Sequence, residues 1–445
     1  MRSNPNHHWS ADAVFYHIFV QSLARAAFHN DYGERRHSLS EIEKWLPHIK
    51  GLGCNAVLLS PVLKSLTHGY DVTDYYDIDN RIGTNDEFRA LVKLLHGSGV
   101  RVVLDSVFNH CGRDFFAFEE LRKGNREYAD WFSGVDFGKE SPLGDLFSYH
   151  TWSGHYSLPK FNLRNEVVRR YLIGAAEYWI DTFEIDGMRL DAANDLDFDF
   201  MSELRHAVTA RKPDFWLMGE VVHGDYARWV SPGVLHSVTN YILFKSLISS
   251  HNDNNLNELA SCLQQSVPSQ GLPLYNFLDN HDQPRVASNV KNPAFLGSLY
   301  TLLFTLPGIP SIYYGSEWGI TGRKEKNSDQ PLRPYIDIDA PPNDVPWLEG
   351  HIRKLASIRQ GQDALKYGDY RQIYLEYRKP LVIERRHGTE RVYVAVNIGG
   401  EQECVDLSRE HRGSFIDLLS GESIHKHPVN AIPLAPYSAR IIKAV

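Results

Sequence analysis

"FEIDGMRLDAAND", residues 183–195, is the stretch on which the fold turns. It follows a helical pattern, "NEVVRRYLIGAAEYWIDTF" (165–183), and then changes period to that of a short strand. Alternate residues of an extended segment share a face, so Arg189 and Asp191 point one way while Met188 and Leu190 point the other. Charges facing a core need a partner or a task. A parallel barrel supplies one, because its reactive side chains stand at the C-terminal ends of the strands.

The surrounding chain repeats the strand-then-helix alternation. Apolar runs rich in β-branched or aromatic residues occur at 13–20, 55–62, 100–107, 187–191, 215–222, 236–240, 275–279 and 309–315. Helical patterns lie between them at 38–53, 84–99, 165–183, 200–211 and 294–308, several opening on Ser, Thr or Asn and closing near Gly. Eight such units predict an α/β fold, a (β/α)8 TIM barrel; a doubly wound open sheet is the alternative. A long polar and aromatic stretch after the third strand breaks the spacing, and after about residue 360 the helices give way to alternating strands. The expected division is a catalytic barrel over 1–109 and 163–360, an insertion over 110–162, and a C-terminal antiparallel β-sandwich domain over 361–445. The rings of the insertion, Phe115, Phe116, Trp131, Phe132, Trp152 and Tyr156, either narrow a site or pack the insertion's own core.

Composition excludes several classes. With 47 Lys and Arg against 55 Asp and Glu, the chain carries a formal charge of −8 and has no basic field for nucleic acid or an anionic membrane. The start has no apolar run of signal-peptide length, and no stretch reaches about 18 consecutive apolar residues. A cytoplasmic protein without a membrane or nucleic-acid partner is therefore expected. Cys54, Cys111, Cys262 and Cys404 show no metal-ligand spacing and are expected to be free thiols, as in a reducing compartment.

Polar residues recur at the predicted strand ends: Asp105 with Asn109 and His110 on the third, Arg189 and Asp191 on the fourth, Glu220 on the fifth, and "DNHDQPR" with His281 and Asp282 on the seventh. Any one of these suits a cap or a surface ion pair. Together they suit glycoside hydrolysis, in which one carboxylate attacks the anomeric carbon and another protonates the leaving oxygen. Arg189 would keep its neighbour Asp191 ionised, Glu220 would be the acid, and Asp282 would grip sugar hydroxyls.

"DSVFNH" (105–110), "GMRLDAAND" (187–195), "GEVVH" (219–223) and "FLDNHD" (277–282) resemble, in order and spacing, the four conserved regions of the alpha-amylase family of glycoside hydrolases. The resemblance covers essentially the whole chain. It implies a retaining mechanism, with the insertion as B domain and the last segment as C domain. By motif, Asp191 is similar to the nucleophile, Glu220 to the acid/base and Asp282 to the transition-state-stabilising aspartate. His110, His281 and Arg189 match substrate-site residues. Tyr70 matches a tyrosine that stacks on the sugar, with Asp71 beside it, and Asp105 matches a structural carboxylate.

"LPKFN" (158–162) is similar to a sequence of the neopullulanase, cyclomaltodextrinase and maltogenic amylase subgroup. This implies retaining hydrolysis of α-1,4 bonds, with room left for α-1,6 bonds, in short oligosaccharides or cyclic α-glucans. Transglycosylation or isomerisation through the same intermediate stays open, and a non-catalytic sugar-binding barrel is the reading from another class. Two departures stand out. The first barrel strand begins near Ala13, so the subgroup's extra N-terminal domain is expected to be missing and the oligomeric state is left open; Val222 stands where an aromatic is usual. No cofactor is required by this chemistry. Calcium is suggested only by Asn109, without a clear ligand loop at 20–36, and no metal site is assigned.

Overall fold

The structure is a computed structural model that describes residues 8–33, 35–265, 272–326, 328–375, 379–424 and 431–445. The barrel strands are β1 (Phe15–Ile18), β2 (Ala56–Leu59), β3 (Arg101–Ser106), β4 (Gly187–Leu190), β5 (Trp216–Gly219), β6 (Ser237–Val238), β7 (Tyr275–Asn276) and β8 (Ile309–Tyr313). Their sheet order is β6-β5-β4-β3-β2-β1-β8-β7, and a parallel bridge joins Thr239, next after β6, to Tyr275 of β7. Spatial order thus follows chain order all the way round. A doubly wound sheet would reverse direction at a switch point, so the fold is a (β/α)8 barrel.

Helices return the chain between strands: α1 (Leu46–Gly51), α2 (Asn85–Gly97), α3 (Glu166–Phe183), α4 (Phe198–Arg211), α5 (Tyr241–Asn252), α6 (Phe295–Thr305) and α7 (Leu348–Gly361). Local chemistry sets their starts. Thr84 accepts from the Glu87 amide while Glu87 reaches back to the Thr84 amide, and Asn165, Asp197 and Asn240 cap α3, α4 and α5 with side-chain oxygens.

Each barrel strand is shorter than its apolar run. The run at 275–279 yields only Tyr275–Asn276, because Asp279 accepts the Val286 amide and Asn280 accepts those of Asp282 and Gln283. Side chains that claim nearby amides pull the backbone out of the ladder and into a turn.

The chain divides into two compact units, one of His17–Pro47 and Ala56–Val238, the other of Met1–Tyr16, His48–Asn55 and Thr239–Val445. In the first, the insertion's rings pack chiefly on one another. Phe118 meets Phe132 at 5.0 Å and Tyr149 at 4.9 Å, and Phe115 meets Phe161 at 5.4 Å. Trp152 differs: its ring lies 5.6 Å from that of His110.

The second unit carries the C-terminal strands β9 (Asp369–Tyr374), β10 (Leu381–His387), β11 (Glu390–Asn397), β12 (Glu403–Asp406), β13 (Phe415–Asp417), β14 (Ser423–Ile424), β15 (Ala431–Leu434) and β16 (Ser438–Ala444). They form a six-stranded sheet, β9-β10-β11-β16-β13-β14, and a separate β12-β15 pair. The β10-β11, β11-β16 and β12-β15 pairings are antiparallel. Alternate residues Tyr393 and Ala395 face a core shared with Val405, Leu407, Leu434 and Ile442.

Candidate active site

Strand register builds the first part of the site. Asp105 of β3 pairs with Arg189 of β4, and Leu190 of β4 with Gly219 of β5, so one step further Asp191 and Glu220 leave adjacent parallel strands at the same level. Neighbouring strands lie ~4.8 Å apart, which brings the two carboxylates within reach of one cation. That cation is Arg189, on the same face as Asp191.

Arg189 is almost wholly buried and touches three carboxylates. Its Nη1 donates to both oxygens of Asp105 at 2.6 Å and lies 3.3 Å from Asp191 Oδ1, while Nη2 is 2.9 Å from Glu220 Oε2. Burial alone would lower the guanidinium pKa, but the facing charges of Asp105 and Glu220 above all raise it well over its ordinary value. The sequence pairs Arg189 with Asp191; its shortest contacts in fact go to Asp105 and Glu220. Arg189 therefore acts as a shared hub, with Asp191 held by the longest of the three contacts. Next to Asp191, Ala192 adopts a left-handed φ of 49° and its amide donates to Glu220 Oε2 at 3.2 Å. Strain of this kind at a non-glycine residue persists only where the surroundings enforce it.

The residues from the β2 and β3 loops surround this hub. The Tyr70 hydroxyl donates to Asp105 Oδ2 at 2.8 Å. His110 is buried, and its Nε2 meets the Tyr70 carbonyl at 3.1 Å while Nδ1 meets Asn109 Nδ2 at 3.2 Å. Burial lowers its pKa to about 3 against the raising effect of the Tyr70 carbonyl, so His110 is neutral, donating from Nε2 and accepting at Nδ1. Asp71 is taken up locally: it accepts the Thr67 amide at 3.0 Å and the Thr67 hydroxyl at 2.6 Å, fastening the loop that carries Tyr70. Gly112 lets that loop approach, since a Cβ there would come within 2.4 Å of the Asp71 carbonyl.

His281 and Asp282 belong to the other compact unit. His281 is buried, with Nε2 3.0 Å from Asp282 Oδ2. Arg333, from the long loop after β8, donates Nε to the His281 carbonyl and Nη2 to Asp282 Oδ1, both at 2.9 Å, and is also 3.3 Å from Asp329. Sequence reading passed over Arg333 and Asp329. They lie in "SDQPLRP" (328–334), where no periodicity or motif marks them, and only the loop's path brings them to Asp282.

Two carboxylates on one buried guanidinium, at the ends of adjacent barrel strands, suit double displacement at a glycosidic bond. The alpha amylase catalytic domain model matches residues 23–340. The chain belongs to the alpha-amylase family. It is a retaining glycoside hydrolase, similar to a cyclomaltodextrinase of Thermoanaerobacter pseudethanolicus, 32% identical over 98% of this chain and 78% of that protein. It is also similar to neopullulanase 2 of Thermoactinomyces vulgaris, 31% identical over 98% of this chain and 78% of that protein. Among solved structures, the ligand-free cyclic alpha-maltosyl-(1→6)-maltose hydrolase of Arthrobacter globiformis superposes with a TM-score of 0.84 at 30% identity, covering 99% of this chain and 100% of that one.

The family resemblance also suggests calcium beside Asn109. Asn109 is buried and its Oδ1 lacks a hydrogen-bond partner. A single neutral oxygen falls far short of the six to eight that Ca²⁺ takes. Among the described residues no group of three or more His, Cys, Asp or Glu side chains is placed to hold a metal ion. Among the described residues these donors do not fit such an ion.

Proposed function

We propose that this amylase-family enzyme hydrolyses α-1,4-glucosidic bonds in short or cyclic α-glucans, with room left for α-1,6 bonds, by double displacement without a cofactor. The observation that carries the mechanism is the single buried Arg189 that reaches both Asp191 and Glu220. Asp191 attacks the anomeric carbon while Glu220 gives its proton to the departing oxygen. Glu220 then takes a proton from water, whose oxygen displaces Asp191 and leaves an α product. Asp282 contacts sugar hydroxyls as positive charge develops on the ring, with Tyr70, His110 and His281 holding the sugar. Asp105 and Arg189 act on it through the carboxylates they position.

Carboxylates on neighbouring strands suit the ~5–5.5 Å spacing of retaining enzymes over the ~6.5–9.5 Å of inverting ones. The substrate class is supported by the names of the relatives, cyclomaltodextrinase, neopullulanase 2 and cyclic alpha-maltosyl-(1→6)-maltose hydrolase. We place the enzyme in the cytoplasm. None of its four cysteines is in a disulfide, and it is 32% identical, over 87% of its length, to an intracellular maltogenic amylase of Bacillus subtilis. No helix among the described residues is long and apolar enough to cross a membrane.

The test is the ratio of kcat/KM for β-cyclodextrin or maltotriose to that for soluble starch, read with proton NMR of the first product. A ratio above one with α product first is expected. A ratio at or below one overturns the small-substrate reading, and β product first overturns Asp191 as nucleophile.

A further inference from the structure

Two large aromatic rings lie open to solvent around a cavity that the catalytic machinery does not use. Trp347, the residue that caps α7, is 49% exposed, and Tyr437, just before β16, is 36% exposed. With Gly297 and Thr301 of α6, His351 of α7 and Ser438 of β16, they line a groove of about 430 Å³ within one compact unit. That volume falls in the ~300–1,000 Å³ range of small-molecule sites. None of its lining residues is shared with the site around Arg189 or with that around Arg333.

The groove's walls are fixed in place. Gly297 lies beside the indole, where a Cβ would make an ordinary contact with Trp347 Cη2 at 3.5 Å. Tyr437 is held at a left-handed φ of 53°, with its amide donating to the Gly399 carbonyl at 3.1 Å and its ring against Phe295 at 5.8 Å. A bulky residue rarely adopts that backbone, and here it keeps a phenol ring on the groove rather than in a core. Thr301 Oγ1 donates to the Gly297 carbonyl at 2.8 Å and meets His351 Nε2 at 3.2 Å, so the polar wall is preformed.

The lining specifies the ligand class. Among the described residues that form the groove there is no Asp, Glu, Lys or Arg, and burial lowers the pKa of His351, which leaves it neutral. A charged ligand gains nothing here. The hydroxyls of Thr301 and Ser438 each donate to a backbone carbonyl, Gly297 at 2.8 Å and Ala435 at 2.7 Å, and so keep acceptor capacity for a ligand's hydroxyls. Sugar rings combine an apolar C–H face with a rim of neutral hydroxyls, which match flat rings flanked by hydroxyls. We propose that this groove is a second α-glucan site, in which Trp347 and Tyr437 stack on successive sugar units away from the bond being cleaved. The ligand's identity rests on the substrate class proposed above; the groove itself does not.

The experiment is calorimetric titration of maltoheptaose into the full-length Glu220→Gln enzyme, alone and combined with Trp347→Ala or with Tyr437→Ala. Two binding events are expected in Glu220→Gln, and the weaker should lose about tenfold in affinity or disappear in each double variant, as for a truncated aromatic anchor. Trp347→Ala in the otherwise native enzyme should leave kcat on a maltotriose-sized substrate unchanged. A weaker event that persists in both double variants, or a single event in Glu220→Gln, overturns the second site and leaves the catalytic reading standing. No binding at all overturns the α-glucan reading, and this proposal with it. Circular dichroism of each variant checks the fold, and using two positions guards against one that unfolds.

Discussion

Arg189 and Arg333 each hold a carboxylate proposed for catalysis, yet they are built differently. Arg189 is strand-borne: its place follows from the β3-β4-β5 register, its surroundings are buried, and it meets three acids. Arg333 is loop-borne, and its partner Asp282 has a side chain 35% exposed. The difference teaches where rigidity comes from. Register fixes the level of every strand-end side chain at once. A loop must fix each by individual bonds, here from Arg333 to the His281 carbonyl and to Asp282.

The largest effects should come from the acids themselves. Asp191→Asn and Glu220→Gln are each expected to lower kcat by about 10³-fold or more with little change in melting temperature, because each removes a group that acts in the transition state. Initial rates decide this. A variant that keeps more than about a tenth of native activity has lost less than ~1.4 kcal/mol and cannot be missing a reacting group.

Arginine substitutions separate the two designs. Arg189→Ala leaves Asp105 and part of Glu220 buried without a counter-charge, and the expected loss of stability is about 3–5 kcal/mol. Arg333→Ala leaves Asp282 able to hydrate, so its loss should be about 1–2 kcal/mol with activity reduced and the fold intact. Urea denaturation measures both. Equal losses would erase the distinction between strand-borne and loop-borne support.

Two of the buried histidines, one in each unit, make stability depend on pH. Burial lowers His110 to about 3 and His251 to about 4, each against a backbone carbonyl that raises it, Tyr70 for the former and Leu247 for the latter. Both are lowered from ~6.5, so the unfolded chain binds the proton more readily. Their contribution is complete above pH ~6.5 and is lost as pH falls toward the folded values, by at most ~1.4 kcal/mol per pH unit for each group. Unfolding free energies measured between pH 7 and pH 4 should show this slope, and His251→Gln should reduce it. An unchanged slope would mean that His251 does not stay neutral in the folded protein.

Much of this was legible in the sequence, because barrels write their sites in a regular code. The eight apolar runs and the polar residues that end them located Asp105, Arg189, Asp191 and Glu220, since period-two alternation and strand ends are local properties. Chain order alone also suggested the barrel, which the strand order bears out. Tertiary structure decided what depends on partners distant in sequence. It made Arg189 a hub shared with Asp105 and Glu220, and it turned Asp71 to its own loop. It brought Arg333 to Asp282 across 51 positions, and it sent most of the insertion's rings into their own core while leaving Trp347 and Tyr437 in the open. Sequence pattern fixes which face of an element a residue occupies, whereas the path of loops fixes which faces meet.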